Sequence, residues 1–254
     1  MPLDLRVFLV VGLTVVATIG LVLASRATLG RHKMKGTGDV ETAYITVTGT
    51  IYAIFLAFMI FVVWGQFYAA MVSVDQEGNT LVDIYSTAAG LPQAQKQTLR
   101  RLCIDYVHVV VRQEWPAMVD EESAPQASRV IDRMWAVVTA NGSAQITDDV
   151  FRDHLLSQMV DLTNLRRARL LESRTSLPSI LYACLLFGAA ITILLSCLFT
   201  SQDLWPHVVK ACAISALISI FLFTIWALDH PFRGKVHVSP ESIERTLLIF
   251  RNTP

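Results

Sequence analysis

The residue types that usually carry enzyme chemistry are present in this sequence, but they are not arranged for it. Six histidines and four cysteines occur, and none falls in an HExxH, CxxC or similar metal-ligand spacing. His230 and His237 flank a Pro-Phe-Arg-Gly turn, but two ligands make an incomplete metal site. The sequence also lacks a P-loop, a GxGxxG fingerprint and a GxSxG elbow. We therefore expect no enzyme, no cofactor and no bound metal.

One acidic residue has a pattern that points to a structural role. Asp229 follows the last apolar block and directly precedes His230-Pro231-Phe232. Because Asx turns are common beside proline, Asp229 can accept hydrogen bonds from backbone N–H groups and fix the turn. Alternatively it pairs with an arginine of a nearby cluster, which consists of Arg166, Arg167, Arg169 and Arg174. The second arrangement would latch the C-terminal tail onto the middle segment. We predict Asp229, Pro231 and Phe232 as this structural latch.

Four long stretches of the chain carry no charge at all. They cover residues 7–24, 42–74, 175–202 and 211–228. The 254-residue chain is 53% hydrophobic and 17% charged, whereas soluble domains have about 25% charged residues. Because about 20 apolar residues span a bilayer, each stretch predicts a transmembrane helix. A soluble enzyme, a disordered protein and a disulfide-stapled module are excluded, and the balance of 21 basic against 21 acidic residues does not suggest nucleic acid binding.

The segment between the second and third apolar stretches has helical patterning. Apolar residues recur there at steps of three and four, as in Phe151, Leu155, Met159, Leu162 and Leu165. Helix breaks are expected at Gly90-Leu91-Pro92, Ala124-Pro125 and Asn141-Gly142. We predict an all-α, four-span membrane protein. Residues 1–74 hold spans one and two with a basic linker, 75–174 a cytoplasmic helical domain, 175–229 spans three and four, and 230–254 a cytoplasmic tail.

Basic residues near the span ends favour one orientation in the membrane. With four spans, the N-terminus, the middle segment and the tail share one side. That side carries eight of these residues: Arg6, Arg166, Arg167, Arg169, Arg174, Arg233, Lys235 and Arg245. The other side carries four: Arg26, Arg31, Lys33 and Lys35. Because Lys and Arg accumulate on cytoplasmic flanks, we expect a multi-pass membrane protein with both termini in the cytoplasm.

The second uncharged stretch is too long for a plain membrane span. Its 33 residues, Thr42 to Val74, would form a helix of roughly 50 Å, against a hydrocarbon core of about 30 Å. Three arrangements account for the excess length. The helix is steeply tilted, it is broken near Gly49 or Gly65, or its ends project from the bilayer and are buried in protein.

An apolar stripe runs along this second span. Its members share one helical face at steps of four, three and four: Ile51, Phe55, Phe58 and Val62, with Thr48 before them. A ring of such side chains, one from each subunit, can form a constriction that gates by dewetting. The stripe can equally pack against lipid or neighbouring helices. Trp64 and Gln66 then begin an aromatic belt of the kind found at membrane interfaces.

Three further segments carry the likeness to a known family. They are Trp64-Gly65-Gln66-Phe67 with Glu77 and Leu81-Val82-Asp83-Ile84-Tyr85; Asp105-Tyr106-Val107 with Glu114-Trp115-Pro116; and Leu228-Asp229-His230-Pro231-Phe232-Arg233-Gly234 with Val236 and Val238-Ser239-Pro240-Glu241. With the two-plus-two arrangement of spans, the chain resembles the bacterial bestrophin-like membrane proteins, formerly a domain of unknown function. It departs from them at His230, where the family often has arginine, and in its glycine-rich first linker.

The resemblance implies a function through the more distant bestrophin anion channels. Bestrophins are pentamers with cytoplasmic termini, and their second span lines the pore with an apolar neck shortly before a Trp and a Gln-aromatic pair. By this likeness Thr48, Ile51, Phe55, Phe58 and Val62 would line the pore of a homo-oligomer that conducts small ions such as chloride. The tail would wrap a neighbouring subunit. The span itself shows no ring of basic residues that would select anions.

Two classes of function therefore stand side by side. The first is an oligomeric, bestrophin-like ion channel that conducts anions along span two. The alternative is a non-conducting membrane scaffold or sensor that acts through its cytoplasmic helices. A small-solute transporter is a weaker third reading, because the sequence lacks an inverted repeat and an acidic residue inside a span.

Overall fold

The computed structural model describes residues 3–29, 38–120, 122–140, 149–198 and 203–252. These residues form α-helices joined by turns and contain no strand, which confirms the all-α prediction. The helices are α1 (Leu3–Leu29), α2 (Gly38–Thr87), α3 (Gln93–Val109), α4 (Trp115–Val119), α5 (Pro125–Thr139), α6 (Asp149–Glu172), α7 (Ser179–Leu198), α8 (Leu204–Leu228) and α9 (Glu241–Asn252). The basic linker residues Arg31, His32, Lys33 and Lys35 lie outside the described residues.

Four of these helices, α1, α2, α7 and α8, are long and apolar enough to cross a membrane. The four predicted spans are thereby confirmed. The third begins at Ser179, directly after Pro178, as the sequence predicts. Proline suits this position because its fixed φ is already helical and its missing N–H would have no partner in a first turn. The carbonyl oxygen of Pro178 accepts the backbone N–H of Leu181 at 2.9 Å.

Helix α2 is one unbroken helix of 50 residues. At ~1.5 Å per residue its length is about 75 Å. Gly49 and Gly65 both lie inside it, so the expectation of a break near either glycine is wrong. A single interior glycine weakens a helix by only about 1 kcal/mol, which the flanking helix-forming and packed residues outweigh.

The chain divides into two compact units. The first comprises Met1–Gly65 and Ser176–Asp229, and the second comprises Gln66–Thr175 and His230–Pro254. Helix α2 therefore contributes its first part to one unit and its second part to the other. Ala70 and Val74, at the end of the uncharged stretch, are fully buried in the apolar core of the second unit. The end of that long stretch is thus buried in protein, as one of the three arrangements expects.

The first unit packs α1, α7 and α8 together. Val22, Cys197 and Ala211 form a small buried cluster between them. Two hydroxyl groups add contacts between helices: Ser25 Oγ donates to the Cys197 carbonyl oxygen at 3.1 Å, and Ser219 Oγ donates to Thr14 Oγ1 at 2.8 Å. Such small hydroxyl side chains let membrane helices approach closely and bond across the gap.

The second unit holds a large apolar core built from α3, α5, α6, α9 and the end of α2. The predicted break at Gly90-Leu91-Pro92 is confirmed by a 3₁₀ turn, Ala88–Gly90, that ends α2. Gly90 is required there, because a Cβ would lie 2.6 Å from the ring of Phe151. The break before α5 is confirmed at Pro125. The break expected at Asn141-Gly142 lies outside the described residues.

A π-helical turn, Val110–Glu114, separates α3 from α4. Pro116 follows it and supplies a cause, because a proline removes one backbone donor and collides with the carbonyl four residues earlier. The wider π turn relieves that collision, and it turns the side chain of Glu114 into the core, where it is fully buried. Such turns occur often at functional sites.

The tail after α8 is anchored in the second unit. Gly234 adopts φ +78°, a conformation that glycine tolerates best, and the Val238 N–H donates to the Pro231 carbonyl oxygen at 2.7 Å. On α9, Ile243 and Phe250 are buried, and the Phe250 ring stacks on Tyr85 at 4.2 Å between centroids. Leu248 on the same helix is 61% exposed.

Candidate functional site

The candidate neck residues lie on the part of α2 that belongs to the first unit. Ile51 is 65% exposed and Phe58 is 61% exposed, while Phe55, Val62 and Thr48 are half-buried. Each of the four apolar neck residues immediately precedes a buried one. The buried neighbours are Tyr52, Leu56, Met59 and Val63. The predicted stripe is therefore not the face that α2 packs inside its own unit, and it stays available to lipid, a lumen or another subunit.

A tyrosine of α2 holds the buried face of this helix against α7. Tyr52 donates its hydroxyl hydrogen to the Leu185 carbonyl oxygen at 2.9 Å. Its ring lies over Gly188, where a Cβ would come within 2.5 Å of two ring carbons. Only glycine therefore leaves room for this contact. The pair sets the side on which α2 meets α7, and so decides which of its residues remain exposed.

The predicted interface belt lies a little further along α2. Trp64 is 55% exposed and Tyr68 is 53% exposed, while Gln66 is half-buried. Large aromatic side chains with a polar edge are typical of the boundary between hydrocarbon and water. Their role as a belt remains a prediction.

Asp229 is buried where α8 ends. Its Oδ1 accepts the backbone N–H of Leu177 at 2.8 Å, and its Oδ2 accepts the hydroxyl of Tyr182 at 2.7 Å. Both donors lie at or just before the start of α7, so the carboxylate joins the entry of one span to the exit of the next. Of the other latch residues, Pro231 is buried and Phe232 packs edge-on against Trp115 at 5.6 Å within the second unit.

A network of two buried glutamates and two buried arginines occupies the core of the second unit. The Arg169 guanidinium, which has no exposed surface, donates to both carboxylate oxygens of Glu77, at 2.6 Å from Nε and 3.1 Å from Nη2. Nη2 also reaches Glu114 Oε1 at 2.7 Å. Arg166 Nε donates to the same oxygen of Glu114 at 3.1 Å. Two carboxylates thus balance two guanidinium groups.

Three uncharged side chains complete this network around Glu77 and Arg169. Tyr106 donates its hydroxyl to Glu77 Oε1 at 2.6 Å, Arg169 Nη1 contacts Met118 Sδ at 2.8 Å, and the Trp115 ring lies 5.3 Å from the Arg169 guanidinium carbon. A buried ion pair is favourable only when its remaining hydrogen-bonding groups are also satisfied. Both carboxylates of the network accept hydrogen bonds from its donors, and the network links α2, α6 and the α3–α4 segment. Within the described residues, the buried Trp115 Nε1 has no hydrogen-bond partner.

The protonation states of the network follow from its surroundings. Burial raises the pKa of Tyr106 well above its usual range, and the neighbouring Glu77 carboxylate raises it further, so the phenol stays protonated and donates. Burial, the largest single effect, lowers the pKa of Arg169, but the charge and hydrogen bonds of Glu77 together with the charges of Tyr106 and Glu114 raise it overall. Glu172, at the end of α6, is half-buried and accepts the Ser73 hydroxyl at 2.6 Å. Burial raises the pKa of Glu172.

Comparison with known proteins gives the family of this chain. The family model of the bestrophin-like domain matches residues 11–243. The chain belongs to the bestrophin-like family. No curated protein matches it in sequence.

Solved structures share the fold of this bestrophin-like chain. A single-residue variant of a bacterial bestrophin homologue from Klebsiella pneumoniae aligns with a TM-score of 0.75 and 14% identity, over 95% of this chain and 98% of that one. A structure of the same homologue, solved by zinc-based phasing, aligns with a TM-score of 0.73 and 16% identity, over 95% of this chain and 98% of that one. The predicted resemblance is confirmed. Membership supports an integral membrane protein of the ion-channel class rather than an enzyme.

The sequence expectations for the arginine cluster of this bestrophin-like protein need correction. The sequence places Arg166 and Arg169 among the basic residues near the span ends, yet they are only 8% and 0% exposed, whereas Leu165 of the apolar pattern is half-buried. Both donate to buried glutamates. Two of the eight basic residues that favour a cytoplasmic middle segment are therefore neutralised inside the protein.

A sequence signal for the network did exist. Glu77 falls in the stripe Ala70, Val74, Glu77, Leu81 and Ile84, at steps of four and three, and all five residues are buried. On α6, Arg166 and Arg169 continue the stripe of Leu155, Met159 and Leu162 in the same way. A charged residue on an otherwise apolar helical face predicts a buried ion pair, since an unpaired charge there would be very costly. Which partner it takes cannot be read from spacing.

Metal-binding groups do not gather in the part of the chain that the structure describes. No set of three or more His, Cys, Asp or Glu side chains could hold an ion there. The exit-turn histidines His230 and His237 belong to the second unit together with the tail.

Proposed function

We propose that this protein assembles into a homo-oligomeric ion channel of the bacterial inner membrane, with its pore along α2. The observation that carries the proposal is the side of α2 bearing Ile51 and Phe58, which the rest of the first unit leaves 65% and 61% exposed in a bestrophin-like chain. Several copies of such a helix around an axis would form an apolar constriction from Ile51, Phe55, Phe58 and Val62, with Thr48 at its mouth. Apolar constrictions of this kind gate by dewetting.

The finer parts of the proposal rest on the resemblance and on charge. A pentamer with cytoplasmic termini is the arrangement that the bestrophin likeness implies. After correction for the buried arginines, six basic residues near span ends still favour the side of the termini, against four on the other side. Conduction of small anions such as chloride is likewise the implied activity, although α2 contains no lysine or arginine over its 50 residues.

The channel is tested by reconstituting the purified full-length protein in planar bilayers. We expect single-channel currents, and we expect Phe55→Ala and Phe58→Ala to raise the open probability because smaller side chains let water enter the neck. Intact oligomers that remain silent would reject the channel. The reversal potential measured in a gradient of a chloride salt then identifies the permeant ion. A reversal potential at the equilibrium potential of the cation would reject anion selectivity but not the channel function.

One observation favours the alternative of a non-conducting scaffold or sensor. A groove of about 780 Å³ lies between α3 and α9 in the second unit, lined by apolar residues such as Val111 and Leu248 and by charged residues such as Arg112 and Glu244. A map of the assembled oligomer separates the two functions. An axial passage lined by α2 supports the channel, whereas an axis closed by protein or filled by lipid supports the scaffold.

A further inference from the structure

An apolar pocket of about 550 Å³ lies between α2, α7 and α8 in the first unit. Ligand pockets in proteins usually have volumes of about 300–1,000 Å³, so this pocket has room for a bound molecule. On α8 its wall is formed by Ile214, Leu217 and Phe221, at steps of three and four. The residues that line it include no charged side chain, and they belong to three helices that are apolar enough to cross a membrane.

Small residues on α2 leave this space open. Gly49, Ala53 and Ala57 follow one another at steps of four, and all three line the pocket. A Cβ placed on Gly49 would meet no neighbouring atom within 4 Å. The wall on α2 is therefore recessed, and a larger side chain at Gly49 would enter the pocket without displacing a neighbour.

The hydroxyl groups that line the pocket already donate to backbone carbonyl oxygens. Thr192 donates to the carbonyl oxygen four residues earlier and Ser196 to the one three residues earlier, both at 2.8 Å. Tyr52 donates to Leu185 at 2.9 Å. These three hydroxyl hydrogens are thus engaged within the unit, so the pocket favours an occupant that gains affinity by burying apolar surface.

One basic residue lies next to this apolar wall. Lys210 is exposed and precedes Ile214 by one turn of α8, so the two residues share a helical face. Helical side chains lean toward the N-terminus of their helix, and α8 begins at Leu204. A lysine near the end of a span extends its ammonium group to the membrane surface. Lys210 therefore places a positive charge where the headgroup of a lipid would lie.

We propose that this pocket holds one acyl chain of an anionic membrane phospholipid, with the phosphate of its headgroup beside Lys210. A bilayer around the spans supplies such chains in excess, and an acyl chain matches the uncharged lining. The ammonium group attracts the negative headgroup. Binding of this lipid does not depend on ion conduction, so the proposal stands or falls independently of the channel.

The test uses the purified full-length protein in phosphatidylcholine vesicles that contain a small fraction of phosphatidylglycerol with a photoreactive diazirine on one acyl chain. After irradiation and digestion, mass spectrometry locates the labelled residues. Leu56 and Ile218 line the pocket and are only 5% and 6% exposed, whereas Phe8 and Leu13 on α1 are 73% and 72% exposed. We expect the two buried residues to be labelled at least as strongly as the two exposed ones. Labelling confined to the exposed residues would overturn the proposal, and that is the result if a neighbouring subunit fills the pocket.

Gly49→Leu with Ala53→Leu fills the pocket from α2. We expect labelling of Ile218 to fall by roughly fivefold or more, because a close-packed site excludes the chain, and labelling of α1 to stay the same. If this variant fails to assemble, Gly49→Leu alone is expected to give a smaller loss at Ile218. Unchanged labelling of Ile218 in the assembled variant would overturn the proposal.

The matched control is Gly12→Leu with Ala17→Leu on α1. Both positions are exposed and lie outside the pocket, and a Cβ on Gly12 would meet no neighbouring atom within 4 Å. We expect labelling of Ile218 to remain as in the natural protein. A loss equal to that of the filled variant would show that added bulk in any span alters lipid contact, and would overturn the proposal.

Lys210→Gln tests the headgroup. Ile218 is labelled in parallel with phosphatidylglycerol and phosphatidylcholine that carry the same diazirine chain. We expect the natural protein to prefer phosphatidylglycerol, and Lys210→Gln to reduce that preference by roughly threefold because the positive charge is lost. Arg6→Gln, at an exposed position on α1, is expected to leave it unchanged. A preference that is absent in the natural protein, or that Lys210→Gln does not alter, would overturn the assignment of an anionic lipid.

Discussion

The two parts of α2 differ in what they expose and what they bury. In the first unit the helix leaves large apolar side chains such as Phe58 and Phe61 uncovered. In the second unit it buries a carboxylate, Glu77, with 1% of its surface exposed. The first part of α2 therefore exposes an apolar surface, which is stable only against lipid or against another subunit. The second part buries a carboxylate, which is stable only when hydrogen-bond donors surround it.

The largest effect is expected from breaking the buried charge network on one side. Arg169→Met leaves Glu77 without its cation and weakens the pairing of Glu114. Loss of one partner from a buried pair destabilises by about 3–5 kcal/mol, because an unpaired charge stays buried. We expect a large drop in the thermal unfolding midpoint of the detergent-solubilised protein. The exposed Arg245→Met is the control, and equal midpoints for the two variants would contradict the burial argument.

A smaller effect should separate two adjacent residues of α2 in the first unit. Met59→Ala removes a side chain that is 1% exposed, and we expect a loss of about 2–5 kcal/mol for such a buried truncation. Phe58→Ala truncates a residue that is 61% exposed, so we expect little loss of stability in the dissociated chain. The comparison is made by thermal unfolding and by conductance of the same two variants. A loss of stability larger for Phe58→Ala than for Met59→Ala would show that the stripe packs rather than lines a path.

The smallest expected effect is a pH-dependent change in stability caused by Glu172, next to the buried charge network. Burial raises the pKa of Glu172 above its usual value of 4.5. As the pH rises through 4.5, the unfolded chain loses this proton while the folded chain still holds it, so folding is progressively disfavoured until the raised pKa is passed. Below both values the carboxyl is protonated in either state and has no effect.

Glu172→Gln removes this ionisation and keeps an acceptor for the Ser73 hydroxyl. We therefore expect the variant and the natural protein to unfold at the same temperature at low pH, and the variant to be slightly more stable at neutral pH. Unfolding midpoints measured across that range check the sign. A natural protein that is the more stable of the two at neutral pH would mean that attraction to nearby cations outweighs burial.

The sequence predicted the elements of the fold well because their signals are local. Four uncharged stretches gave the four spans, Pro178 gave the start of α7, and Gly90-Leu91-Pro92 gave the end of α2. The motifs around Trp64, Glu114 and Asp229 were enough for the family, which the match over residues 11–243 confirms. The sequence also indicated that the second uncharged stretch is longer than a single membrane span requires.

The sequence could not decide what that extra length was for. Both glycines invited a break, yet α2 continues through them, because one weak position does not stop a helix that is packed on either side of it. Arg166 and Arg169 continue the buried stripe of α6, but spacing alone does not identify the partners of a buried charge. The choice depends on Glu77 and Glu114, which lie 92 and 55 residues from Arg169 along the chain.

By itself, then, the sequence determined an all-helical membrane protein with four candidate spans, and its family. Those properties follow from composition and from the spacing of apolar residues, which are local features of a few helical turns. Only the tertiary structure decided that α2 is continuous, which of its sides is exposed, and that its buried side carries a paired charge. A buried charge takes its partners from distant helices, so its pairing exists only once those helices have packed together.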